Sequence, residues 1–201
     1  MKKLIIPIVI AMSLAACGGG GGSSPSAPSN PSNPPVAVHP FDKYEGIYAE
    51  VCDTSEGSRL YFSVDSIVNN NAIMAGRVDV YANRNCSGPV IGTATFSSNN
   101  LLEYKNTVPS QFKMAYEPGF SGEMVTFKMS IPPRLVTVTG TNSKGKCVIR
   151  SNNDSICFSD KTTTEVLENT SFYQGPKDEL VIGLQTNNVW SVVTTALRII
   201  K

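Results

Sequence analysis

Four cysteines carry the most specific chemistry in the second part of the chain. Cys52, Cys86, Cys147 and Cys157 form an even set, which in an exported protein predicts two disulfide bonds with three alternative pairings. Cys147 and Cys157 lie at equal distances from Asn152, inside a Ser-Asn-Asn-Asp turn, so a hairpin there would place them on facing strands. Cys52 would then pair with Cys86. No Cys-x-x-Cys spacing favours zinc, and we predict no metal site.

Groups that could catalyse a reaction are sparse. The only histidine, His39, stands beside Pro40 and before the predicted domain, so a Ser-His-Asp or Cys-His arrangement has no base. The chain has no Gly-x-Ser-x-Gly elbow and no phosphate-binding glycine loop. A glycosidase would need two carboxylates brought together from distant positions. We therefore predict that the protein is not an enzyme and uses no cofactor, with an unrecognised hydrolase as the remote alternative.

Alternating apolar and polar residues predict that the chain beyond residue 40 is mostly β-strand. The pattern is clearest over residues 60–65 and 123–131. Further strands are predicted over residues 46–52, 73–82, 90–97, 101–108, 134–141, 146–150, 155–159, 180–185 and 190–200. Only residues 162–169 are compatible with a short helix, and residues 131–133 and 172–176 are predicted to be loops at a barrel mouth. The sequence predicts an antiparallel up-and-down or lipocalin-like β-barrel, with a β-sandwich as the alternative.

Aromatic side chains offer the main hint of binding. Tyrosines recur within or beside the predicted strands, and they could line a cavity or form an exposed recognition surface. The candidate ligand-binding residues are Tyr48, Tyr61, Tyr81 and Tyr104.

The first residues have the pattern of an export signal. Met1-Lys2-Lys3 is basic, and residues 4–14 are apolar apart from Ser13. This apolar run is too short to span a membrane as a helix and fits a secretory signal. Leu14-Ala15-Ala16-Cys17 follows directly and resembles the lipobox of bacterial lipoprotein precursors.

The lipobox resemblance implies a covalent membrane anchor. It implies cleavage before Cys17, attachment of diacylglycerol to the thiol, and an acyl chain such as palmitate on the new amino terminus. Each buried methylene contributes about 0.8 kcal/mol, so several chains hold firmly where one is marginal. Gly18 stands where an aspartate would retain the protein at the inner membrane, and the resemblance therefore implies the outer membrane.

A second resemblance concerns the barrel itself. Gly46-Ile47-Tyr48 and the run Asn85-Cys86-Ser87-Gly88-Pro89 resemble small secreted lipocalin-like domains. Lipocalins begin their first strand with Gly-x-Trp, whose ring closes one end of the barrel; here Tyr48 replaces that tryptophan. The single Trp190 lies near the start of the last strand. The resemblance implies that Arg198 packs near the plug.

These patterns divide the chain into three segments and predict one function. Residues 1–16 are the predicted signal peptide, residues 17–40 are the lipidated cysteine with a Gly/Ser/Pro-rich disordered tether, and residues 41–201 are one β-rich domain. A formal net charge of +1 without a basic stripe argues against nucleic acid. We predict an outer-membrane lipoprotein whose domain is a non-catalytic binding module for a small apolar ligand or an envelope protein. The alternative is a structural, assembly, adhesin-like or host-factor-binding lipoprotein.

Overall fold

The computed structural model describes residues 38–109, 122–151, 154–175 and 177–200. Cys17 and the rest of the predicted signal and tether up to residue 37 lie outside these ranges. Within them, a short 3-10 helix (Asp42–Tyr44) precedes thirteen strands. The strands are β1 (Gly46–Glu50), β2 (Ser58–Ile67), β3 (Asn71–Tyr81), β4 (Val90–Phe96), β5 (Asn100–Pro109), β6 (Glu123–Ile131), β7 (Val136–Thr139), β8 (Ser143–Lys144), β9 (Cys147–Ile149), β10 (Ser155–Cys157), β11 (Glu165–Gln174), β12 (Glu179–Thr186) and β13 (Val189–Ile200).

Eight strands close into an antiparallel barrel. Around the wall the order is β1, β2, β3, β5, β6, β11, β12 and β13, and β13 pairs back with β1. Each strand therefore neighbours the next barrel strand along the chain, which is an up-and-down arrangement. Closure satisfies the backbone groups that an open sheet would leave at its edges. The predicted antiparallel barrel is confirmed.

A small side lobe, made of β4 and β7 to β10, branches from the barrel wall. The second half of β3 pairs with β4, whereas its first half pairs with β5. The break between β4 and β5 at residues 97–99 faces a second break, Pro132-Pro133, between β6 and β7. Proline cannot donate a ladder hydrogen bond, so the strand pairing is interrupted there. Val80, Ile91 and Val148 form a separate apolar core that attaches the lobe to β3.

Both predicted disulfide bonds are confirmed. Cys147 and Cys157 face each other across the antiparallel pair β9–β10, as the symmetric turn between them predicted. Cys52 and Cys86 join the segment after β1 to the loop between β3 and β4. In the chain-entropy description each bond stabilises the fold by restricting the unfolded chain, by about 3 kcal/mol or more for loops of this size.

Two local predictions were wrong. Residues 162–169, compatible with a helix, instead lead into β11, because pairing with β6 aligns Val166 with Ser130 and Leu167 with Met129. That register leaves Val166 exposed and packs Leu167 against the barrel core, which is the alternation of a strand. Phe172, expected in a loop, belongs to the same strand and is buried. Gly175 follows the strand, and Pro176 lies outside the described residues.

One end of the barrel is closed by an aromatic plug. Phe41, Tyr44 and Tyr48 are almost completely buried there. The Tyr44 hydroxyl donates to the carbonyl oxygen of Phe172 at 2.9 Å, and the Tyr48 hydroxyl donates to that of Tyr44 at 2.8 Å. Arg198 donates from Nη2 to the Tyr48 oxygen at 2.6 Å and lies over the Tyr48 ring, so the packing expected for this basic residue is present. Burial raises the pKa of Tyr44 and of Tyr48, which keeps both hydroxyls as donors.

A buried arginine clamps the side lobe to the barrel. The Arg150 side chain is 5% exposed, and its Nη1 lies 3.0 Å from Oδ2 of Asp154. The same carboxylate oxygen lies 2.8 Å from Nη2 of Arg84, which is largely exposed. The remaining donors of Arg150 bind backbone carbonyl oxygens of the barrel, those of Tyr81, Glu56 and Gly57. Arg150 therefore satisfies four acceptors from three parts of the chain.

Two carboxylates of the side lobe should make the free energy of unfolding depend on pH. The pKa of Asp154 is lowered mainly by a hydrogen bond from Arg84 and, to a smaller extent, by one from Arg150. A hydrogen bond from Lys146 lowers the pKa of Asp160. Unfolded aspartates titrate near pH ~3.9. A carboxyl group whose pKa is lower in the folded than in the unfolded state stabilises the fold above the unfolded pKa. This stabilisation is lost as the pH falls towards the folded pKa. We therefore expect the free energy of unfolding to decline below about pH 4.

Urea unfolding at about pH 6 and about pH 3 checks this expectation. The double variant Asp154→Asn/Asp160→Asn should be less stable at the higher pH and should lose less on acidification than the parent. An equal loss in the two proteins would contradict the assignment of the acid dependence to these carboxyls.

Candidate ligand-binding cavity

A cavity of about 410 Å³ lies inside the barrel, at the end away from the plug. Its lining includes the last residue of β1, Glu50, and the first residue of β5, Asn100, which both belong to that end. The volume falls in the range of about 300–1,000 Å³ that is typical of small-molecule sites. Most of the lining is apolar: Leu60, Phe62, Met74, Val78, Phe96, Met129, Phe172, Ile182 and Val193.

The space exists because one inward position of β3 has no side chain. Met74, Gly76 and Val78 are alternate residues of this strand, and all three line the cavity. A Cβ added to Gly76 would lie 3.8 Å from a Leu60 methyl carbon and 3.9 Å from the Phe96 ring, which are ordinary contact distances. A glycine inside a strand leaves an unfilled position in the packing, which is where a ligand can approach the backbone.

The floor of the cavity is rigidly joined to the plug. Phe62 stacks on Tyr48 with ring centres 5.5 Å apart, and Phe172 packs edge-on against Phe127 at 4.6 Å. Phe41 in turn packs against Phe172 at 6.2 Å. Such aromatic pairs stabilise beyond their buried area. The floor is therefore an apolar surface that packs directly against the plug.

The polar residues of the lining are few: Glu50, Ser98, Asn100, Arg134 and Thr194. Asn100 is only 9% exposed, and its Oδ1 has no hydrogen-bond donor among the described residues. The Ser98 hydroxyl donates to the carbonyl oxygen of Pro133 at 2.9 Å. The Arg134 guanidinium lies over the Phe96 ring, 4.1 Å from its centre. Glu50 is the one carboxylate among the described lining residues.

The four tyrosines predicted to bind a ligand lie elsewhere. Tyr48 belongs to the plug, and Tyr104 packs against the core with its hydroxyl 3.2 Å from that of Thr107. Tyr61 and Tyr81 lie together on neighbouring strands, β2 and β3, with their hydroxyl oxygens 2.7 Å apart. None of the four is among the residues that line the cavity.

The Tyr61–Tyr81 pair lies beside two arginines, Arg59 and Arg77. The Arg77 guanidinium lies 4.8 Å from the centre of the Tyr61 ring. Burial, followed by the hydrogen bond with Tyr61, raises the pKa of Tyr81 to about 12. The hydroxyl of Tyr81 therefore stays protonated at neutral pH and supplies no phenolate.

Sequence analysis missed the residues that form the cavity. The alternating pattern indicated that Phe62 and Phe96 belong to the core, and no chemical motif marks them. One usable signal was Gly76, an isolated glycine inside the predicted strand 73–82. His39 does not enter the cavity either, since its Nε2 lies 2.8 Å from the carbonyl oxygen of Ile67.

Two features are absent from the described ranges: a cluster of metal ligands and a helix that could span a membrane. No group of three histidine, cysteine, aspartate or glutamate side chains there could hold a metal ion. The same ranges contain no helix of sufficient length and apolarity to cross a membrane.

Comparison of the chain with known protein families, with curated proteins and with solved structures finds no match.

Proposed function

We propose that the protein is a non-catalytic binding module that holds a small apolar ligand inside its barrel. The observation that carries this proposal is the 410 Å³ cavity inside the barrel, whose floor is made of aromatic rings that pack against the plug. Ten of its lining side chains, Ala75 included, are apolar, and transfer of apolar surface from water into such a site is favourable by about 25 cal/mol per Å².

We further propose that Cys17 anchors this module to the outer membrane. The lipobox pattern supports the anchor, and the two disulfide bonds suit an exported protein. The module would thus work in the envelope, where sparingly soluble molecules have to cross an aqueous space. The alternative is that the domain binds an envelope protein instead of a small apolar ligand.

Filling the cavity should abolish ligand binding. We expect Gly76→Leu to place its side chain between Leu60 and Phe96 without a steric barrier from the backbone. Fluorescence enhancement of the neutral apolar probe N-phenylnaphthylamine should be strong with the soluble mature chain, residues 18–201, and should fall at least about tenfold in the variant, since occupying the cavity removes the apolar contacts.

Thr137→Leu is the matched control. It adds the same leucine to an exposed position of β7, away from the cavity lining. The control should bind the probe like the parent. Equal enhancement in the parent and in Gly76→Leu would place the probe elsewhere and overturn the proposed function.

A further inference from the structure

The charged residues of the cavity select the headgroup of the ligand. Resting on the proposed function, we infer that the natural occupant is an amphipathic molecule whose apolar body fills the cavity and whose anionic group, such as a carboxylate, binds the Arg134 guanidinium. The apolar lining alone would accept any sparingly soluble molecule of suitable size. Arg134 adds a requirement, because it is the one cationic side chain among the described lining residues.

The Arg134 guanidinium has unused hydrogen-bond donors. It lies over the Phe96 ring, 4.1 Å from the ring centre. An arginine stacked on a ring contacts it through its flat face, so the N–H groups in its plane stay available for a carboxylate, which they match with two parallel hydrogen bonds. An anionic ligand would not have to displace a carboxylate of the protein. Within the described ranges, the arginine ion pairs belong to other residues: Arg77, Arg84, Arg150 and Arg198.

Asn100 adds a donor on the same side of the cavity. The Ser98 hydroxyl donates to the carbonyl oxygen of Pro133 at 2.9 Å, which holds the chain just before Asn100 against the chain just before Arg134. The Asn100 Oδ1 is enclosed by the protein and out of reach from the cavity. The group of this side chain that is left for a ligand is therefore the NH2, which is a donor.

Glu50 carries a negative charge on the other side of the barrel. It ends β1, which is separated from β6 by β2, β3 and β5 in one direction and by β11, β12 and β13 in the other, whereas Arg134 follows β6. Its carboxylate repels an anionic headgroup from its own side, while Arg134 attracts it. The Thr194 hydroxyl can donate or accept, so it selects neither charge. The two charged residues therefore orient the headgroup towards Arg134.

The test compares decanoate with decanol, two molecules of the same alkyl length that differ in the charge of the headgroup. Isothermal titration calorimetry on the soluble mature chain should show decanoate binding about tenfold more tightly than decanol, since hydrogen bonds between charged groups are stronger. In Arg134→Gln, decanoate should lose this advantage, while unchanged decanol binding shows that the cavity is intact. Glu50→Gln should bind decanoate about threefold more tightly than the parent, because it removes a repelling charge.

Arg77→Gln is the matched control for this test. Arg77 also lies over an aromatic ring, that of Tyr61, but it does not line the cavity. Its replacement should leave the preference for decanoate unchanged. Decanol binding at least as tightly as decanoate, or unchanged decanoate affinity in Arg134→Gln, would overturn this inference and leave the apolar cavity function intact. Failure of both ligands and of N-phenylnaphthylamine to bind would overturn the proposed function itself.

Discussion

Replacing Arg150 with methionine should destabilise the domain by about 3–5 kcal/mol. The side chain is 5% exposed and donates to the carbonyl oxygens of Tyr81, Glu56 and Gly57 while pairing with Asp154. Methionine has a similar length but no donor. The carbonyl oxygen of Gly57 keeps the hydrogen bond from the Tyr81 backbone N–H, whereas those of Tyr81 and Glu56 lose the donor from Arg150, at a cost of about 1–3 kcal/mol for each group left buried. The Asp154 carboxylate keeps its contact with Arg84, so the expected loss comes from the buried carbonyl oxygens and not from an unpaired charge.

The variant Arg84→Met removes only the exposed ion pair to Asp154 and leaves the buried contacts of Arg150 in place. Arg84 binds the same oxygen of Asp154, but its side chain is 57% exposed. An exposed ion pair contributes about 0–1 kcal/mol, so this variant should be nearly as stable as the parent. Urea unfolding followed by the fluorescence of the single Trp190 measures all three proteins. Equal losses for the two arginines would contradict the clamp.

Replacing Cys17 with alanine should abolish lipid attachment completely. The thiol is the atom that the lipobox resemblance assigns to diacylglycerol, and alanine offers no nucleophile. The variant should be found as an unlipidated periplasmic protein or as a retained precursor that still carries residues 1–16. Incorporation of labelled palmitate, together with fractionation of washed membranes, measures both consequences.

Gly18→Ala is the control for this experiment because it changes the neighbouring residue and keeps the cysteine. It should incorporate label like the parent. The lipobox interpretation fails if Cys17→Ala still incorporates label, or if its mature form stays with membranes as tightly as the parent does.

Local patterns were sufficient to predict the barrel wall and the disulfides. In β2, Phe62 and Val64 are buried and alternate with Tyr61, Ser63 and Asp65, so the sequence shows which face of the strand is inside. In β6 the alternation placed Val125, Phe127 and Met129 in the core, but it did not show that Met124 on the other face is also buried, in a second cluster with Tyr173 and Val181. The Cys147–Cys157 bond followed from the turn centred between the two cysteines. These features depend on neighbouring residues, and sequence proximity is enough to reveal them.

Features set by distant pairing were not visible. Residues 165–168 suit one helical turn as well as a strand, and only their contact with β6 decides for the strand. The branching of the side lobe depends on two breaks, residues 97–99 and Pro132-Pro133, lying beside each other in the sheet. The second break was recognised in the sequence, but its effect was not, because that depends on which strands pair.

The candidate site was missed for a related reason. A cavity is defined by a side chain that is absent, and Gly76 matters only because Leu60, Phe96 and Met129 converge around it. The tyrosines attracted attention by their chemistry, whereas the apolar residues that form the site look like any barrel core.

Native mass spectrometry of the soluble mature chain, purified from the periplasm, shows whether the barrel carries a small molecule. We expect a non-covalent adduct of a few hundred daltons, on the order of what a cavity of this volume holds, on a protein mass that also reports both disulfide bonds. The adduct should be absent from Gly76→Leu and retained in Thr137→Leu. An adduct-free mass for the parent, or the same adduct in all three proteins, would contradict the account.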